Sequence, residues 1–121
     1  MKKFLTAVVI VVSTMTFAQQ KFTKTYSALA IIDGRDVGEI LNTKATVTFN
    51  SETKNVTVKQ ADNSLDEYSI ISKQEYSQTS SGSNYMAVLT KSGKYQFYFT
   101  FFDKKLMIIN KTTKKGLVLY K

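Results

Sequence analysis

From Thr43 to the end of the chain, short segments rich in Val, Ile, Thr, Tyr and Phe alternate with polar turn segments. Successive side chains of a β-strand point to opposite faces, so this alternation is typical of strands with one buried face. Residues 45–49 and 55–59 show it most clearly, and the polar turn 51–54 joins them as a hairpin. The inner face is predicted to carry Ala45, Val47, Phe49, Val56 and Val58.

The same pattern continues through the second half of the chain. It predicts strands at 67–72, 84–90, 95–102, 106–109 and 116–120. The segment 95–102 is the most aromatic, and apolar groups lie on both of its faces. A sheet with one face in water would show polar residues at alternate positions, so these strands indicate a sheet that is covered on both sides or curled on itself.

The stretch before Thr43 allows two interpretations. Residues 22–32 read as one long strand, whereas Asp36 and Glu39 have the spacing of a helix capping box. Alternatively, Asp33-Gly34 is a strong turn dipeptide that would make residues 36–42 the return arm of a hairpin. We favour strand, turn, strand, because Gly38 disfavours so short a helix.

The fold class that follows is all-β. About seven or eight short strands with short links predict an antiparallel up-and-down meander. Closure removes the exposed edges of such a sheet, so a small barrel is the expected architecture, with a two-layer β-sandwich as the alternative. A membrane-spanning barrel needs strands of about 9 to 11 residues, which is longer than most segments here.

The N-terminus has the layout of a secretory signal peptide. Lys2 and Lys3 precede an apolar run from Phe4 to Val12, which is too short to span a bilayer. Thr16 and Ala18 then supply the small residues that a signal peptidase accepts. We place cleavage after Ala18, at an Ala-Gln-Gln junction that resembles those of many exported bacterial proteins. The prediction is a signal peptide at 1–18, a single β-rich domain at 19–121 without a transmembrane span, and a periplasmic or extracellular location.

Charge and composition narrow the possible partners. Net charge is +8 for the whole chain and +6 after Lys2 and Lys3 leave with the signal peptide. Arg35 is the only arginine, and planar readout of phosphates or bases favours arginine over lysine. We therefore expect no nucleic-acid partner and interpret the lysines as a solvated surface. The chain has no cysteine, so no disulfide stabilises it and no lipid can be attached through a thiol.

The chain offers little for catalysis. Without histidine or cysteine it lacks the usual neutral-pH base, the thiolate nucleophile and the preferred zinc ligands. A glycosidase needs two carboxylates that face each other across a cleft, and the pairs Asp33 with Asp36 and Asp66 with Glu67 lie in or beside turns. We expect no catalytic residue, no metal site and no cofactor, although a carboxylate-based hydrolase stays open.

Residues 62–67 have oxygen-bearing side chains at positions that faintly resemble a calcium loop. They lack the glycine and the distant glutamate that make such loops specific. An Asx-type turn that leads into a strand explains the same residues without a metal.

Aromatic excess is the strongest functional signal. Burial accounts for part of it, but aromatic residues on two faces of one strand need either a second covering layer or a partner. The sequence therefore predicts a non-catalytic binding module for a small apolar, glycan or peptide ligand. Its candidate ligand-binding residues are Tyr85, Tyr95 and Tyr98. The alternative is a structural or interaction protein that works through surface contacts, with the oligomeric state and the partner left open.

Overall fold

The computed structural model describes residues 21–121, which form one antiparallel sheet of ten strands. The strands are β1 (Lys21–Asp33), β2 (Asp36–Val37), β3 (Leu41–Asn50), β4 (Asn55–Lys59), β5 (Leu65–Ile70), β6 (Glu75–Gln78), β7 (Asn84–Ser92), β8 (Tyr95–Phe102), β9 (Lys105–Asn110) and β10 (Lys115–Tyr120). Eight of them close into a barrel in the order β1, β3, β4, β5, β7, β8, β9, β10, and β2 and β6 are short additions. The predicted all-β barrel is confirmed, and the sandwich does not form.

The first and last strands close the barrel. β10 pairs with the second half of β1, from Ala28 opposite Tyr120 to Asp33 opposite Lys115. A bulge between Tyr26 and Ala28 interrupts the pairing of β1 with β3. The first half of β1, residues 21–26, therefore extends past the end of β10 and pairs with β3 alone among the described strands. We call the barrel end at which β1 begins the mouth.

The barrel interior is filled by side chains. All five predicted inner residues of β3 and β4 are buried, which confirms the alternation prediction. They pack with residues from the other side of the barrel, among them Val88, Phe99 and Leu106. Fully burying a side chain of this size contributes about 1.5–3 kcal/mol, so these residues supply most of the stability of a chain without disulfides.

The two extra strands differ in whether the sequence predicts them. β2 is the return arm of the predicted hairpin, in which Gly34 has φ 64°, and the helical alternative for residues 36–42 is wrong. β6 was not predicted. It follows a bulged stretch, residues 71–74, in which the Oγ of Ser72 accepts a hydrogen bond of 2.8 Å from the Leu89 amide. It then pairs with the first residues of β7.

The outside of the barrel has two unlike halves. Pairs such as Thr48 with Thr57 alternate with core pairs along β3 and β4, so this half is polar. On β7 to β10 the positions that alternate with core residues such as Phe99 and Leu106 point outward, and most of them are also apolar. This outer apolar wall consists of the partly exposed residues Tyr85, Leu89, Tyr98, Phe102, Met107, Ile109 and Tyr120. Val118 also points outward but is only 4% exposed. No second layer formed by residues 21–121 covers this wall.

The predicted signal peptide, residues 1–18, lies outside the described residues. Within residues 21–121, no helix has the length and apolar character needed to cross a lipid bilayer.

Candidate functional site

The barrel opens at its mouth into a cavity of about 790 Å³. Its volume lies within the range of roughly 300–1,000 Å³ found for small-molecule sites. We call it the mouth pocket. It is lined by Phe22, Lys24, Tyr76, Ser77, Gln78, Asn84, Tyr85, Met86, Phe101, Phe102 and Asp103.

The floor and one side of the mouth pocket are aromatic. Phe22 stands on the inner face of β1 and stacks on Phe49 with ring centroids 5.1 Å apart. It also meets the Phe101 ring edge-on at 5.3 Å. These contacts hold the first half of β1 against β3 and β8, where β10 no longer supports it, and so keep the pocket wall in place.

Lys24 is the charged side chain on the inner face of β1. It lies between Phe22 and Tyr26 and pairs with the fully buried Val47, so strand alternation directs it into the mouth. Its Nζ is 5.5 Å from the centroid of the Phe22 ring. Burial lowers the pKa of Lys24 below its usual 10.5, the nearby Lys121 pushes the pKa the same way, and Asp103 opposes both.

Lys24 has no close carboxylate partner in the described part of the chain. The one ion pair found there joins Lys115 and Asp33, whose charged atoms are 4.0 Å apart. A partly buried ammonium group beside aromatic rings gains from an anion that replaces its lost hydration. The mouth pocket therefore combines an apolar lining with one cation suited to an anionic group.

The far side of the mouth pocket is formed by β6. Tyr76 pairs with the inward-facing Met86, and its hydroxyl accepts a hydrogen bond of 3.0 Å from the Gln74 amide group. Burial raises the pKa of Tyr76, and the Gln74 hydrogen bond partly offsets the rise. Tyr76 also borders a second cavity of about 880 Å³, the side groove, between the β3–β4 hairpin and residues 71–74.

The three predicted tyrosines lie in different places. Tyr85 lines the mouth pocket, and its ring packs against Phe102 with centroids 5.5 Å apart. Tyr98 belongs to the outer apolar wall and is 39% exposed. Tyr95 begins β8 at the end opposite the mouth, where it is 51% exposed and the Lys94 amine lies 5.4 Å from its ring centroid. The fold does not bring these three rings together.

The candidate carboxylates do not converge on a cleft. Asp33 and Asp36 pair across the β1–β2 hairpin, at the end away from the mouth. Glu67 accepts a hydrogen bond of 2.8 Å from the Asn55 side chain. Its neighbour Asp66 points to the other face of β5. Among residues 21–121, no group of three acidic side chains is placed to hold a metal ion.

Residues 62–64 form the predicted Asx-type turn, and residues 65–67 begin strand β5. The Asp62 carboxylate accepts a hydrogen bond of 3.0 Å from the Ser64 amide, and Asn63 has φ 68°. Hydrogen bonds from Ser64 lower the pKa of Asp62. The turn thus accounts for these side chains through local hydrogen bonding.

Comparison with known proteins adds no identification. No family model matches the chain, and no curated protein or solved structure shows significant similarity to it.

Proposed function

We propose that this protein is a non-catalytic binding module that holds a small ligand in the mouth pocket. The observation that supports this most strongly is the combination of a filled barrel interior with an open, aromatic-lined cavity at one end. Rings such as Phe22 and Phe101 offer apolar and stacking surfaces for an apolar molecule, a glycan or a peptide side chain.

The chemistry of the chain fits binding better than catalysis. The sequence has no histidine and no cysteine, and Asp103 is the one carboxylate that lines the mouth pocket. General acid–base catalysis by carboxylates needs two of them with different environments. A single exposed acid beside Lys24 is better suited to orienting a ligand than to breaking a bond.

We further propose that the protein acts after export, in the periplasm or outside the cell. The cationic start, the apolar run and the small residues before Gln19 support this. Protein recovered from the source cells should begin at Gln19. A soluble chain that still begins at Met1 would contradict this proposal.

The binding proposal is tested by thermal unfolding of the purified protein with panels of small apolar molecules, glycans and peptides. A ligand that binds the folded state raises the melting temperature. The substitution Gln78→Trp places a large ring in the mouth pocket and should abolish the shift. Ser69→Trp adds the same ring to the polar outer half of the barrel and should leave the ligand-induced shift in melting temperature unchanged. Equal shifts in both variants would exclude the mouth pocket as the site.

A second function is favoured by a separate observation, the outer apolar wall. Monomeric proteins rarely leave large contiguous apolar patches in water, so a structural or interaction role through this wall is the alternative. Light scattering of the Met107→Lys variant, with Thr48→Lys as the control on the polar half, tests self-association. Loss of an assembly in the first variant alone supports the alternative, whereas a strictly monomeric parent protein counts against self-association.

A further inference from the structure

We propose that the mouth pocket selects ligands that carry a carboxylate on an apolar body, with the Lys24 ammonium as the counter-ion. This inference rests on the proposed function and specifies its ligand class. The apolar body lies against the partly exposed rings of Phe22, Tyr85 and Phe102, and the carboxylate lies at the rim beside Lys24.

The first support is the position of Lys24 in the barrel wall. The inner face of β1 otherwise carries Phe22 and Tyr26 at the mouth, and Val47 faces Lys24 from β3. If the pocket bound no charged ligand, an apolar side chain at this position would make the barrel more stable than a lysine does. A lysine here loses part of its hydration and finds no carboxylate within 4.0 Å in the described residues.

The second support is the balance of charge around the mouth. Lys121 acts on Lys24 as a like charge, and Asp103 is the acid that opposes it. Lys104 follows Asp103 in the β8–β9 turn, and Lys105 begins β9. Cations therefore outnumber acids around this rim, which favours an anionic ligand over a neutral or cationic one.

The third support is the apolar depth beneath Lys24. Phe22, Tyr85 and Phe102 are partly exposed and line the pocket together with Phe101 and Met86, which are only 5% and 6% exposed. A fully hydrophilic anion would leave the partly exposed rings in water, whereas an amphiphile covers them. The pocket is therefore better matched to a carboxylate with an aliphatic or aromatic body than to an inorganic anion.

The test compares three probes with the same ten-carbon chain, decanoate, decanol and decylamine, each below its micelle concentration. Affinities are measured by nuclear magnetic resonance titration of the purified protein. We expect decanoate to bind about tenfold more tightly than decanol, because a charge-assisted hydrogen bond adds at least that factor. Decylamine should bind more weakly than decanol.

Matched variants assign the effect to Lys24. Lys24→Met keeps the length of the side chain without its charge and should remove the preference for decanoate, whereas Lys44→Met on the outer face of β3 should preserve it. Asp103→Asn removes a repelling charge and should strengthen decanoate binding. Bound decanoate should also raise the pKa of the Lys24 amine, which a purely structural lysine would not show.

The outcomes separate the inference from the proposed function. If decanol and decylamine bind as tightly as decanoate, or if Lys24→Met keeps the preference, the inference fails while the pocket remains a binding site. If none of the three probes perturbs a mouth-pocket resonance, while a neutral glycan or peptide from the wider panel does, the inference fails alone. If no compound of either set perturbs the pocket, the proposed function fails as well.

Discussion

Phe22 and Phe49 stack with ring planes 14° apart, and this contact fixes the first half of β1 at the mouth of the barrel. The relationship matters because β10 ends opposite Ala28 and gives no support to residues 21–26. These residues still pair with β3, but on their other edge side-chain packing replaces the strand pairing that β10 provides to the second half of β1. The stability of the barrel and the shape of the mouth pocket therefore depend on the same aromatic ring.

Phe22→Ala should lower the free energy of unfolding by about 2–3 kcal/mol, since it removes a half-buried ring with two aromatic neighbours. Urea unfolding measures this loss. Tyr98→Ala removes an aromatic ring from the outer wall and should cost less than about 1 kcal/mol. Equal losses in the two variants would show that Phe22 does not hold the mouth together.

Gly116→Ala should be among the most damaging single substitutions in the chain. A Cβ at this position would collide with the carbonyl oxygen of Ile108 and lie 2.9 Å from the Ile109 Cα, both of them backbone atoms that cannot turn aside. We expect a loss of at least about 3 kcal/mol or failure to fold.

Gly38→Ala is the matched control for that substitution. A Cβ there would meet its nearest atom, the Ile31 oxygen, at 3.6 Å, which is an ordinary contact. The circular dichroism melting curve of this variant should stay close to that of the parent protein. A Gly116→Ala variant as stable as Gly38→Ala would mean that β9 and β10 are not as close as described.

Removal of either of two fully buried hydroxyl groups should change the free energy of unfolding, but in different directions. The Tyr26 hydroxyl has no hydrogen-bond partner among residues 21–121, whereas the Thr90 hydroxyl donates to the Phe97 carbonyl at 3.0 Å. Tyr26→Phe should leave stability unchanged or raise it by about 1–2 kcal/mol, because an unpaired buried polar group is costly. Thr90→Val should lower stability by about 1 kcal/mol. A loss of stability in Tyr26→Phe, measured by urea unfolding, would reveal a partner for its hydroxyl.

The Tyr26 hydroxyl should also make the stability of the barrel fall at high pH. Burial raises the pKa of Tyr26 from its ordinary 10.0 to about 12. The folded protein thus holds this proton more tightly than the unfolded chain, and the stability that results is present below pH 10 and is lost between pH 10 and 12. The loss is at most about 1.4 kcal/mol per pH unit.

The Tyr26→Phe variant isolates this effect from the titration of the lysines and other tyrosines. Urea midpoints at pH 9 and pH 11 should fall further for the parent protein than for the variant. Parallel falls in the two proteins would show that Tyr26 is not the buried tyrosine responsible.

Much of the fold could be predicted because local signals and the final packing agree. The alternation around Val47 and Val58 correctly predicted the inner face of β3 and β4, and the Asp33-Gly34 dipeptide correctly predicted the first hairpin. β6 was missed because its Glu-Tyr-Ser-Gln sequence is exposed at every position and lacks an apolar alternation. Its pairing with β7 depends on the preceding bulge, where Ser72 replaces a backbone partner.

The candidate site was harder to predict, because barrel closure assembles it from distant segments. Lys24 reaches the mouth pocket only after β1 folds against β3 and Phe22 meets Phe101. The sequence does contain one usable signal, a lysine between two aromatic positions of the same strand face. The spacing of Tyr95 and Tyr98 also indicates that they cannot share a site on one strand face, since residues three apart point to opposite faces.

Methionine methyl groups offer the most direct test of the mouth pocket as the ligand site. Residues 21–121 contain two methionines, Met86 in the mouth pocket and Met107 on the outer apolar wall. With ¹³C-methyl methionine labelling, and Met107→Leu to assign the signals, decanoate should shift the Met86 resonance and show nuclear Overhauser contacts to it. Contacts to Met107 with an unmoved Met86 would contradict the mouth pocket and place binding on the outer wall.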